Sequence, residues 1–145
     1  MGRIATLFVA TLAVLAARAE AREVVVGEER IHPYLANLPF CGDPSVIARV
    51  ANRFAEKEAQ FWASDLQLVT FDRVRPVAFR PWTTETIPRR FCTADVVMSD
   101  GRQTKVDYSV REDLDFLGTG WGIEFCVRGV DRNLAYSPSC RMARP

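Results

Sequence analysis

Two periods of hydrophobicity divide the chain. Ile47, Val50, Phe54 and Phe61 recur at helical spacing, with Arg49, Arg53, Glu56 and Lys57 mostly on other faces. Asp43-Pro44-Ser45 supplies the start of this helix: Asp43 can cap it, and proline is tolerated in a first turn whose N–H groups lack partners anyway. The pattern ends around Trp62 to Ser64. From there the period is that of strands, over Leu66 to Arg80, Arg90 to Met98, Thr104 to Arg111 and Trp121 to Val130. Pro81 to Pro88 reads as a loop, and Arg75-Pro76 marks a bend, bulge or edge position inside the first strand. One amphipathic helix followed by hairpin-linked strands predicts an α+β layer, the helix lying across one face of a four-stranded antiparallel sheet.

The hairpin at Asp100-Gly101 can be read to its register. A two-residue loop would set Cys92, Ala94 and Val96 opposite Ser109, Asp107 and Lys105, mixing apolar and charged side chains on one face. A three-residue loop, Ser99-Asp100-Gly101 with Gly101 left-handed, sets Cys92 against Tyr108, Ala94 against Val106 and Val96 against Thr104. It also places Asp95 opposite Lys105 on the other face. The second register is expected, because a slip of one residue exposes a whole apolar set.

Before the helix the chain reads differently. Met1-Gly2-Arg3 is a short positive start, Ile4 to Ala17 is apolar apart from two threonines, and small-x-small patterns follow at Ala17-Arg18-Ala19 and Ala19-Glu20-Ala21. This is the form of a signal peptide over residues 1–21, and its apolar run is short for a bilayer core of about 30 Å. Residues 22–40 form an irregular segment in which Val24-Val25-Val26 could make a short edge strand, and residues 41–145 form one α+β domain. Cleavage before Arg22 removes Arg3, Arg18 and Glu20 from totals of 19 basic and 18 acidic residues, leaving the two signs equal. That balance argues against a nucleic-acid binder, which shows a basic excess. No later stretch has the apolar length of a membrane span.

Export changes how the cysteines are read. Cys41, Cys92, Cys126 and Cys140 are even in number and show no Cys-x-x-Cys pair, so two disulfides are expected, with three connectivities open. In a simple meander Cys92 and Cys126 lie two strands apart, about 9.5 Å, beyond the roughly 7 Å a disulfide spans. Alternation also puts Cys92 on the helix-facing side, within reach of Cys41 at the helix start, and Cys126 on the other, within reach of Cys140 on the returning tail, so Cys41–Cys92 and Cys126–Cys140 are preferred.

Candidate chemistry is sparse. Gly118, Gly120 and Gly122 suggest a phosphate loop, but such a loop follows a strand and opens a helix, whereas these precede a strand. They read as a flexible connection, with close packing at Gly122. Glu112, Asp113 and Asp115 offer oxygens to a hard cation but lack the EF-hand pattern. His32, the single histidine, sits in a proline-bounded segment. Glu56, Glu58, Asp65 and Asp72 are carboxylates with no spacing that selects a pair. Cys41, just before the helix start, is the one candidate for a reactive thiol. No motif asks for a cofactor.

The strings "IPRRFCTADVVMSDG", "GWGIEFCV" and "DRNLAYSPSCRMARP" resemble a family of small exported bacterial proteins of unknown function, over the chain from about Leu38 to its end. The resemblance implies a periplasmic or secreted protein and no mechanism. The helix-on-sheet order is also similar to cystatin-like layers, a likeness that transfers no function. The expectation is a disulfide-stapled, non-enzymatic binding domain for a protein or small ligand. A small enzyme, thiol-dependent through Cys41, and a cation-binding protein using residues 112–115 are the alternatives. On the sheet face away from the helix the tail from Asp131 to Cys140 is expected to cover one part. The rest, near the glycine loop, is the expected working surface, with Phe91 as an apolar anchor beside Arg89, Arg90 and Arg128; the alternative is that the tail buries that face completely as a second core.

Overall fold

The computed structural model describes residues 37–80, 87–112, 114 and 120–145. The expected signal peptide, the 24–26 strand, His32, Asp113, Asp115 and Gly118 lie outside the described residues. Helix α1 spans Pro44–Trp62 and is followed by β1 (Leu68–Arg80), β2 (Arg89–Met98), β3 (Gln103–Glu112) and β4 (Trp121–Val127), then a short 3-10 helix at Arg141–Ala143. The strands form one antiparallel meander in the order β1-β2-β3-β4. The α+β layer expected from the change of period is the fold.

Helix α1 starts where the capping chemistry places it: the Asp43 carboxylate accepts the Ser45 backbone N–H at 2.8 Å, and Pro44 fills the first turn. It stops at Ala63, a left-handed residue with φ 46°. Its inner stripe differs from the expected one. Val46, Val50, Phe54 and Glu58 are buried at a strict four-residue spacing, while Phe61 is exposed. The reason lies in the tail, where Arg132 donates to Glu58 at 2.7 Å and stacks 5.4 Å from the Trp62 ring centroid. That partner lets a carboxylate occupy an inner position.

Under the helix lies the main core. Leu68, Cys92, Ala94, Val96, Met98, Val106, Tyr108, Val110, Ile123 and Val127 meet Val46, Val50 and Phe54 there. Tyr108 is fully buried and donates its hydroxyl to the Cys41 carbonyl at 2.7 Å, tying the helix entrance to the middle of the sheet. Burial pushes this hydroxyl well above the usual tyrosine range, so it remains a donor. The β2–β3 register is the one derived from patterning: Cys92 faces Tyr108, Ala94 faces Val106, Val96 faces Thr104 and Asp95 faces Lys105. Gly101 closes the three-residue loop at φ 83°. The last strand ends at Val127, short of the expected Val130, because Gly129 turns the chain at φ 81°.

Both sheet edges are blunted. In β1 the pairing slips at three places, Arg73 takes φ 48°, and Pro76 removes a donor. At β4 the helix supplies Arg49 and Arg53, which donate to the carbonyls of Trp121 at 2.6 Å and Ile123 at 3.5 Å. Neither edge is left as a regular template for an added strand.

Gly122 is required by space rather than by backbone angle. A Cβ built there would lie 2.3 Å from the Leu114 carbonyl oxygen and 2.7 Å from its carbon, as the chain beyond β3 folds back over β4. Gly122→Ala is therefore expected to destabilise by about 1–3 kcal/mol, the range for forced overpacking. Urea unfolding measures it; a loss within experimental error would show that the Leu114 backbone moves aside freely.

Candidate functional site

On the sheet face away from α1 the tail takes its expected place, and the patch near Phe91 is buried rather than exposed. After Gly129 the tail returns across that face, fixed by Cys126–Cys140, with the 3-10 helix against β3 and β4. Thr93, Asp107, Ser109 and Cys126 are buried beneath or beside it, and Phe91 is only 4% exposed. The tail thus makes this face a second, smaller and partly polar core. The polar part centres on Asp107, 1% exposed, whose carboxylate accepts from Thr93 at 2.9 Å and from Arg128 at 2.8 and 3.0 Å, with Arg144 at 3.8 Å. Hydrogen bonding to Asp107 pushes the Arg128 guanidinium up from its usual value. Arg128 is bound to the fold rather than offered to a partner.

Both disulfides have the expected pairing, Cys41–Cys92 with 5.7 Å between Cα atoms and Cys126–Cys140 with 5.6 Å. Cys41 is buried in its bridge, so in this state it presents no thiolate. Of the three carboxylates of the acidic loop, only Glu112 is described; it ends β3. Among the described residues no three carboxylate, histidine or cysteine side chains gather at metal-binding distance. No described helix is long and apolar enough to cross a membrane. Glu56 and Asp65 are exposed.

Two acidic residues are register partners: Asp72 on β1 lies opposite Asp95 on β2. They line an open groove of about 560 Å³ with Arg73, Gln103 and Lys105. Asp95 forms ion pairs with Lys105 and Arg73, and hydrogen bonds from Lys105 and then Arg73 hold it below the usual carboxylate range. A general acid needs the opposite shift. The same direction holds for Asp43 through Ser45 and for Asp100 through Arg102. A carboxylate depressed in the folded state contributes stability that is present above its unfolded value, about 3.9, and lost as pH falls through its folded value. Thermal scans are therefore expected to show melting temperature falling below about pH 4, less steeply in Asp95→Asn. An unchanged slope in that variant would remove Asp95 from the account.

The exposed chemistry gathers at the far end of the β1–β2 hairpin. On the helix side, Arg90 lies between two rings, with its guanidinium carbon 5.1 Å from the Phe40 centroid and 4.8 Å from that of Phe79. Arg90 also donates to the Leu38 carbonyl at 3.4 Å. Phe40 is 74% exposed and Phe79 is 42% exposed. On the opposite side, register sets Arg80 beside Arg89 and Arg89 beside Arg111, a row of three arginines across three strands. Phe91 lies under this row, 5.4 Å from Arg80 and 5.6 Å from Arg89. The structure thus brings the expected Arg89, Arg90 and Phe91 to one end of the sheet, but divides them between faces. Phe40 and Phe79, not Phe91, are the exposed anchors there. Both are aromatic residues beside prolines or arginines, a composition the sequence displayed without a register to join them.

No protein-family model, curated protein or solved structure matches the chain.

Proposed function

We propose that the protein is an exported, disulfide-stapled binding domain that recognises another protein without catalysis. The Phe40–Arg90–Phe79 sandwich carries this reading. Two exposed aromatic rings in fixed positions around a guanidinium have the composition that dominates binding energy at protein interfaces. Stacking between rings holds the arginine at low entropic cost and leaves its charge at the rim. The partner this surface fits presents an apolar pocket with an acidic rim. Blunted sheet edges make side-chain anchoring, rather than strand addition, the mode of recognition. Two buried disulfides and the signal-like start support a periplasmic or secreted location.

Immobilised wild-type protein, the Phe40→Ala/Phe79→Ala double variant and Arg90→Gln test it against a periplasmic extract with cross-linking. Partner capture is expected to fall sharply in the double variant and become less salt-sensitive in Arg90→Gln. Stability of the double variant should stay within about 0.5 kcal/mol of wild type, as for exposed positions. Equal capture by all three proteins would overturn the assignment of this surface.

A further inference from the structure

The arginine row on the tail side of the sheet has a different chemistry from the aromatic sandwich and does not depend on it. Arg80, Arg89 and Arg111 occupy successive strands in register, where like charges directly opposite one another repel. One carboxylate offsets part of this. Glu124 bridges the second gap of the row, 3.2 Å from Arg89 and 3.4 Å from Arg111. Among the described residues the first gap, between Arg80 and Arg89, holds no carboxylate, and the Arg80 guanidinium lies over the Phe91 ring. Arg89, Arg111 and Glu124 are half-buried beside buried Phe91, so charges in that half of the row are less screened than on an open surface, whereas Arg80 is exposed and open to a ligand from solvent. Tyr136 borders the row from the tail, close enough that the charges of Glu124 and Arg89 act on its hydroxyl.

We propose that the gap between Arg80 and Arg89 binds the carboxylate of an acidic ligand, in the manner in which Glu124 fills the gap beside it. The occupied half shows what the row accepts: a planar oxyanion shared by two guanidiniums from neighbouring strands. Arg89 belongs to both gaps, so Glu124 and the ligand compete for it. Recognition of an acidic side chain or chain end is the class of ligand this fits.

Titrating the intact, disulfide-bonded protein with succinate tests the proposal, with arginine Nε–Hε resonances followed by NMR and sodium chloride as the ionic-strength control. Succinate is expected to give saturable shifts at Arg80 and Arg89 that chloride does not reproduce. Arg80→Gln should weaken the apparent affinity about tenfold, the loss expected for one charge-assisted hydrogen bond. Glu124→Gln should strengthen it, since competition for Arg89 is removed, and this gain separates a binding role from a merely structural one. Linear shifts matching those of chloride, or an affinity that Glu124→Gln lowers, would overturn the site. Tighter saturation by inorganic phosphate than by succinate would overturn the carboxylate assignment.

Discussion

Removing the Cys41–Cys92 bridge by alanine at both positions is expected to lower the unfolding free energy by about 4 kcal/mol, against about 3 kcal/mol for removing Cys126–Cys140. The order follows from the loops they close, with sequence separations of 51 and 14 residues, because the longer loop has more conformational freedom when opened. The two bridges also act in different places. Cys41 and Cys92 sit in the main core, where they hold the helix entrance to β2 beside the Tyr108 hydrogen bond. Cys126 and Cys140 hold the tail over the second face, outside that core. Loss of the first pair should therefore lower the denaturant midpoint of the whole cooperative transition. Loss of the second should in addition release residues 131–145 to proteolysis before the domain unfolds. Urea titration and limited proteolysis of both double variants check this; an equal or larger loss for Cys126/Cys140 would show that the tail face contributes more than its loop length suggests.

The parts of this architecture written in local pattern were readable from the chain. Asp43-Pro44 starts the helix, Asp100-Gly101 sets a register that alternation alone disambiguates, and the opposite faces of Cys92 and Cys126 point each to a different partner, Cys41 and Cys140. Gly122 was legible as a special position because glycine inside a strand weakens it and marks a bulge, a bend or a close approach; here it is the close approach of Leu114. What was hidden depended on long-range partners. Glu58 reads as a surface residue until Arg132, far along the chain, supplies its counter-charge. Arg128 reads as a free cation until Asp107 is known to be buried beneath it. The arginine row was half legible: the hairpin register that pairs Cys92 with Tyr108 also pairs Arg89 with Arg111. Arg80 joins it only through β1, whose three register slips no periodicity reveals.

Arg128→Ala is expected to cost about 3 kcal/mol, more than Asp107→Ala, although both remove the same ion pair. The asymmetry comes from what each leaves behind. Without Arg128, the Asp107 carboxylate stays 1% exposed, with Thr93 as its hydrogen-bond donor and Arg144 only at 3.8 Å. A buried charge stripped of its main partner is costly. Without Asp107, the Arg128 side chain, 32% exposed, can turn its guanidinium into water. The loss for Asp107→Ala should then be about 1–2 kcal/mol, that of hydrogen bonds rather than of a stranded ion. Replacing both together, Asp107→Leu with Arg128→Met, should recover most of what Arg128→Ala loses, since apolar groups of similar volume leave no polar atom unsatisfied. A double-mutant cycle in urea measures all these terms, with a coupling of the two positions well outside the roughly 0.5 kcal/mol scatter of independent sites. Should Arg128→Ala prove milder than Asp107→Ala, the tail must open to let water reach Asp107, and the second core would be a cover that lifts rather than a fixed part of the fold.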